Sequence, residues 1–199
     1  MPRSKPSIVS IGAGNLASHF IPALHKAGYE IKSVYSRKRK NAKTIADKVQ
    51  ASICTNLNKI DPSADVYLIM VADQAIEEVT TILSKIITGP KQIICHSSGA
   101  TSCEVFQNLK CQHGVFYALQ TYSKDQASQL KKDPFIIYGS TDYAEAKLLS
   151  IARKLSNKVI TGDDKIRLQY HLTAVFVNNF VNHIHCKAKM FMDLSLIHI

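Results

Sequence analysis

What the sequence lacks narrows it first. No apolar run approaches the ~18 residues of a membrane-spanning helix, so no spanning segment is expected. The opening Met1-Pro2-Arg3-Ser4-Lys5-Pro6 carries no apolar stretch of the kind that directs secretion. Five cysteines, Cys54, Cys95, Cys103, Cys111 and Cys186, are odd in number and show no C-x-x-C spacing. That argues against a disulfide framework and against zinc, and for reduced thiols in a cytoplasmic protein. His183 and His185 have no carboxylates at ligand spacing, so no metal site is expected. No internal repeat and no low-complexity segment is present. The remainder is ordinary: 199 residues, 46% hydrophobic and 20% charged, enough to bury a full core.

Acidic residues are scarce against basic ones. The formal net charge is +10 and the pI about 9.4, with much of the excess between Lys32 and Lys48. Such a balance raises the question of nucleic acid. The basic stretch has no aromatics interleaved with its cations, and no helix-turn-helix or RNA-binding pattern appears, so no nucleic-acid partner is expected.

What is present is organised around Ile8-Val9-Ser10-Ile11-Gly12-Ala13-Gly14-Asn15-Leu16-Ala17. A β-branched run breaks into glycines and continues at helical spacing through Phe20, Ile21 and Leu24: strand, tight turn, helix N-terminus. G-x-G-x-x-A in that context is a dinucleotide-binding fingerprint. Gly12 allows the turn, Gly14 lets backbone approach a pyrophosphate, and Ala17 lets helix and strand pack closely. The helix N-terminus, with Ala13, Asn15 and Leu16, offers its N–H groups to phosphate. Pro22 inside the helical pattern predicts a local kink or a lost hydrogen bond.

A second strand, Ile31–Tyr35, ends at Ser36-Arg37-Lys38-Arg39-Lys40. Where NAD-binding chains hold the ribose 2′-hydroxyl with an acid, about 20 residues after the glycines, no acid stands. Ser36 and Arg37 suit a 2′-phosphate, so NADP is expected over NAD; the neighbouring lysines and Arg39 read as solvated. A helix over Asn41–Val49, a strand at Ser52–Cys54, and a buried parallel strand over Asp65–Ala72 follow. Asp73-Gln74 ends that strand, and Ile76, Val79, Ile82, Leu83 and Ile86 recur at helical spacing. Gln92–Cys95 reads as the fifth strand, with His96-Ser97-Ser98-Gly99-Ala100 the loop at its end. Strands at Val115–Tyr117 and Pro134–Tyr138, a helix over Asp142–Leu155, a strand at Val159-Ile160 and an N-cap at Asp163 complete the pattern. One helical pattern then runs from Lys165 to Asp193.

Alternating strands and helices predict an α/β chain with a Rossmann-type, doubly wound, mostly parallel sheet, followed by a long helix. The expected division is a dinucleotide-binding domain over 1–162 and the start of a helical domain over 163–199. Ligands bind such sheets beyond the carboxyl ends of the strands. Gly12 to Ala17, Ser36 and Arg37, Ala72 and Asp73, and His96, Ser97, Ser98 and Gly99 all fall on that edge.

These residues make the chain resemble the Rossmann-like oxidoreductase relatives of pyrroline-5-carboxylate reductase and 6-phosphogluconate dehydrogenase that carry a C-terminal domain of unknown function 2520. Carrying the resemblance are Gly12–Ala17, Ser36-Arg37, His96–Ala100, Tyr117-Ala118-Leu119-Gln120-Thr121-Tyr122 and His171–Phe180. Relatives usually have proline where Ala118 stands. The resemblance implies NADP-dependent hydride transfer between nicotinamide and a small carbonyl, imine, hydroxy or amino substrate. It also implies a substrate site between the two domains, and a homodimer formed through the C-terminal helices of the full-length protein. Relatives continue for several helices beyond Phe180, so a truncated all-α domain is expected here. The ending Leu194–Ile199 does not continue the family pattern and reads as a foreign tail.

Nicotinamide chemistry asks the protein for binding, orientation and usually one proton carrier. His96, on the loop nearest the expected nicotinamide, is one candidate; it either carries a proton or orders the loop. Ser97 and Ser98 are expected to hydrogen-bond cofactor or substrate, and Gln120 and Thr121 to line the pocket. On the long helix His171, Asn178 and Asn182 share one face, either at substrate or capping backbone and facing solvent. The expected catalytic residues are His96, His171 and Asn178. A dinucleotide-binding sensor without turnover is the competing reading; it would keep Gly12, Gly14 and Arg37 and need no proton donor.

Overall fold

A computed structural model describes residues 5–123 and 129–194. Its elements follow the expected alternation. β1 (Ile8–Ile11) leads through the glycine turn into α1 (Asn15–Lys26), then β2 (Ile31–Tyr35), α2 (Arg39–Val49), β3 (Ser52–Cys54) and β4 (Val66–Ile69). α3 (Ile76–Leu83), β5 (Ile93–His96), β6 (Gln112–Ala118), β7 (Pro134–Gly139), α4 (Asp142–Leu155) and β8 (Lys158–Thr161) complete the layered part. The long helix follows as α5 (Asp164–Ala174), a π-helical turn (Val175–Phe180) and α6 (Val181–Leu194). The Leu194–Ile199 tail lies, after its first residue, outside the described residues.

One eight-stranded sheet runs in the order β3-β2-β1-β4-β5-β6-β7-β8. β1 to β6 are mutually parallel, β7 pairs antiparallel with β6, and β8 runs parallel to β7. The chain winds outward from β1 in both directions, so a crevice opens between the loops after β1 and β4. Strand residues alternate between two cores. Ile8, Leu68, Cys95, Phe116 and Phe135 pack with α1, α2 and α4; Val9, Ile11, Tyr67, Ile69 and Ile94 pack with α3 and Phe106. Phe20 of α1 sits edge-on to Phe116 and stacks on Phe135, tying the first helix to the far side of the sheet. Each such buried ring contributes about 1.5–3 kcal/mol.

α4 forms where expected, and its ends show why. Thr141 accepts a hydrogen bond from the Ala144 N–H, Asp142 and Glu145 lie in the first turn, and Arg153 and Lys154 lie in the last. Asp163 caps α5 by accepting from the Ile166 N–H at 2.9 Å. Pro22 lies inside an unbroken α1. β6 and β8 are longer than the expected Val115–Tyr117 and Val159-Ile160, and two further strand expectations need correction. β4 is shorter than Asp65–Ala72, because Ala72 turns out of the sheet to cap the 3-10 turn Asp73–Ala75. β5 reaches one residue further than expected, so His96 belongs to the strand and not to the loop. No helix among the described residues is long and apolar enough to cross a membrane.

Candidate functional site

The first loop at the carboxyl edge is built by two glycines with different tasks. Gly12 has φ +123°, and a Cβ there would run into the Met70 carbonyl, so the turn itself requires glycine. A Cβ on Gly14 would meet nothing within 4 Å. No protein group takes that space, which is what the approach of a pyrophosphate needs. Gly14 caps α1 without a side-chain hydrogen bond, and no acid stands in the first turn. The first helical bond runs from the Ser18 N–H to the Gly14 carbonyl at 3.0 Å. The N–H groups of Asn15, Leu16 and Ala17 therefore have no intrahelical partner and point outward as an anion site.

One strand over, α2 repeats the arrangement. Its cap, Lys38, makes no side-chain bond and its first turn carries no acid. The Ser36 hydroxyl accepts from the Lys38 N–H at 3.3 Å, and Arg37 is exposed beside it. Ala72 and Asp73, both exposed, begin the turn after β4. From β2 to β5 the edge crosses three strand spacings, roughly 14 Å, the reach of an extended dinucleotide. The residues present fit such a cofactor.

The end of β5 departs from expectation. Strand alternation sends His96 to the Ile94 side of the sheet, where it is fully buried and stacks on Phe106 at 5.3 Å. Its Nδ1 accepts from the Ser98 N–H at 3.2 Å. Burial, with the nearby Arg167 charge, pushes the imidazole down to about 3, so it is neutral at ordinary pH. His96 orders the loop, and its ring is enclosed on the Phe106 side of the sheet. Ser97 donates to the Ile69 carbonyl at 3.1 Å, and buried Ser98 accepts from the N–H groups of Ala100 and Thr101. Both hydroxyls hydrogen-bond within or beside the loop.

Polar groups instead converge one strand further. A pocket of about 370 Å³ is lined by Tyr117, Leu119, Gln120 and Thr121 from β6 and its exit, and by His171, Ala174, Val175, Val177, Asn178 and Asn179 from the long helix. The Tyr117 hydroxyl and Nδ1 of His171 are 2.9 Å apart, rings edge to face. Burial pushes the Tyr117 phenol up to about 12; Arg167 opposes this and Asp73 adds to it. The π-helical turn adds one residue per turn at this point, so Asn178 and Asn179 both face the pocket. Asn182, expected on the same face, donates to the Asn178 side chain at 3.1 Å and holds it.

Two residues that carry no sequence signal fix the helix here. Arg167 is 1% exposed, pairs with Asp164 at 2.8 Å and donates to the Thr101 carbonyl. Asp164 accepts from the Ser102 hydroxyl at 2.9 Å and the Cys103 N–H at 2.7 Å. Burial alone would raise the Asp164 carboxyl, but these bonds and Arg167 outweigh it and bring it to about 2. Asp164, Arg167, His171, Ala174 and Asn178 recur at three, four, three and four residues, one face of a helix. That face latches onto the His96–Cys103 segment. Away from the pocket the helix is bare: Phe176 is 63% exposed, with Phe180, Ile184 and Phe191 exposed too.

A family model described as a Rossmann-like domain matches residues 1–121, and one described as a domain of unknown function, DUF2520, matches residues 133–197. β7 and β8, which belong to the sheet, and α4, which packs on it, thus fall within the second match. Among solved structures, the chain is similar to a proposed NADP oxidoreductase of Bacteroides fragilis, at 34% identity and TM-score 0.88, over 96% of this chain and 74% of that one. It is similar in fold to a Thermotoga maritima protein, at 20% identity and TM-score 0.75, over 96% and 72% of the two chains. The same holds for a pyrroline-5-carboxylate reductase from Coxiella burnetii, at 18% identity and TM-score 0.70, over 96% and 70%. No functionally curated protein matches.

Proposed function

The chain belongs to the Rossmann-like family that carries DUF2520 in its C-terminal part, and on that premise we propose that it is an NADP-dependent oxidoreductase acting on a small carbonyl or imine, or on the corresponding alcohol or amine. One observation carries the reading: the space above Gly14 is open at an uncapped helix N-terminus, in the crevice where the sheet order reverses. The B. fragilis relative's assignment supports it. When bound, the nicotinamide supplies or accepts the hydride.

The chain's own residues do the rest. Ala13, Gly14, Asn15 and Leu16 hold the pyrophosphate through backbone, and Ser36 and Arg37 hold the 2′-phosphate. Ala72, Asp73 and the Ser97–Gly99 backbone border the nicotinamide end. His171 and Asn178 face substrate in the pocket, Asn178 as an orienting hydrogen-bond partner. The division into a dinucleotide-binding unit over 1–162 and a helical unit from 163 is part of the same proposal. So is the pairing of two copies through the bare face of Phe176 and Ile184, which sedimentation equilibrium reads.

The test is NADPH consumption with methylglyoxal, cyclohexanone and 1-pyrroline, followed by absorbance. Turnover above the cofactor's own decay is expected. A sensor without turnover is favoured by one observation, the burial of His96. Tight NADPH binding with no consumption across the panel would select it.

A further inference from the structure

We propose that Tyr117 is the residue that exchanges the proton with substrate, and that His171 restores it. The proposal rests on the reading of the site as a hydride-transfer centre. Tyr117 is the last residue but one of β6, the strand next to β5, on the sheet face that Gly99 and α5 cover. Its ring lies against Gly99, where an added Cβ would come within 2.8 Å of Cζ. Its hydroxyl is at the pocket wall, 2.9 Å from His171 Nδ1. The phenol thus lies against the loop after β5, on the edge along which the cofactor reading places the nicotinamide, with His171 in contact with its hydroxyl.

Three groups act on that hydroxyl. His171 touches it, the buried Arg167 favours loss of its proton, and Asp73 on the β4 exit disfavours it. A phenol is protonated at neutral pH, as a general acid for reduction must be, and burial makes it a weaker acid still, which Arg167 opposes. Arg167 supplies a fixed positive charge that stabilises the phenolate formed as the proton leaves.

The step balances. As hydride reaches the substrate carbon and the new C–H bond forms, the C=O or C=N π pair moves onto the heteroatom. The Tyr117 O–H bond breaks while the heteroatom–H bond forms. The phenolate takes the Nδ1 proton of His171 as Nε2 takes one from solvent, and proton exchange with solvent then returns the ring to its Nδ1–H tautomer for the next turnover. In the oxidising direction each proton moves the other way.

The experiment uses the full chain with NADPH and the methylglyoxal, cyclohexanone and 1-pyrroline panel. Tyr117→Phe keeps the ring against Gly99 and removes only the hydroxyl. Expected is a fall in kcat of roughly 10²- to 10⁴-fold, with NADPH affinity and KM within about threefold of wild type. The remaining rate should lose the solvent deuterium isotope effect carried by the phenolic proton. A structural role would instead lower thermal stability and cofactor affinity together. In the NADPH-free chain, the ¹⁵N resonance of His171 Nδ1 should shift in Tyr117→Phe. An active wild type with Tyr117→Phe retaining its kcat overturns the proposal and leaves the oxidoreductase reading standing. A wild type that binds NADPH and consumes none overturns both.

Discussion

A Cβ built on Gly99 falls 2.5 Å from Nδ1 of His171, so the two can be neighbours only because residue 99 has no side chain. The glycine lets the loop after β5 press flat against both His171 and Tyr117. Gly99→Ala must push α5 or the loop outward by several tenths of an ångström. The expected cost is about 1–3 kcal/mol of stability, with a larger proportional loss of turnover than of NADPH affinity. Chemical unfolding and cofactor titration on the same sample check it; an unchanged kcat would contradict it.

Gly12 and Gly14 separate fold from function. Gly12→Ala forces a side chain into φ +123° and against the Met70 carbonyl. Roughly 1–3 kcal/mol of stability should go. Gly14→Ala meets nothing and should unfold with the wild-type midpoint. Equal midpoints for both variants would mean that the turn after β1 tolerates a side chain.

Arg37 is exposed beside an α2 N-terminus without acids. A charge-assisted bond to a 2′-phosphate is worth ~1.5–3 kcal/mol. Arg37→Asp should therefore cost NADPH about ten- to a hundredfold in affinity, leave NADH nearly untouched, and reverse any preference. Intrinsic fluorescence of the bound reduced cofactor reads both constants. Equal losses for the two cofactors would remove the phosphate role.

His96 links pH to stability. Its imidazole titrates at about 3 in the folded chain, against roughly 6.5 when unfolded. Between those values the unfolded chain binds a proton that the folded chain does not. The stabilisation is whole above pH ~6.5 and falls as pH drops, by at most about 1.4 kcal/mol per pH unit. Urea unfolding from pH ~7 down to ~5 should show a shallower slope for His96→Asn than for wild type. Parallel slopes would mean that His96 is protonated in the folded chain.

The turns at the carboxyl edge of β1 and β2 were legible because their determinants are local. Gly12, Gly14, Ser36 and Arg37 sit within a few residues of the turns they belong to. The Asp142–Leu155 helix was legible for the same reason, since Thr141 and its flanking charges lie beside its ends. The pocket between Tyr117 and His171 was not. Tyr117 sits in an apolar run that reads as core, and its partner His171 is 54 residues away. Arg167 reads as a solvated cation, because burying one needs Asp164 and the Thr101 carbonyl, which only the tertiary fold supplies. His96 looked like a proton carrier by its ordinary titration range, but a one-residue extension of β5 put it under Phe106. The π-helical turn leaves no period in the sequence, so Asn179 was not expected beside Asn178.

One measurement bears most directly on the claim that this edge holds NADP(H): fluorescence titration of wild type and Gly14→Val with NADPH and with NADH. The valine fills the open space above residue 14 and touches no protein atom within 4 Å at its Cβ, so the fold should survive. Expected is saturable NADPH binding to wild type, roughly ten- to a hundredfold tighter than NADH, and no binding to a folded Gly14→Val. Undiminished NADPH affinity in that folded variant, or none in wild type, would contradict it.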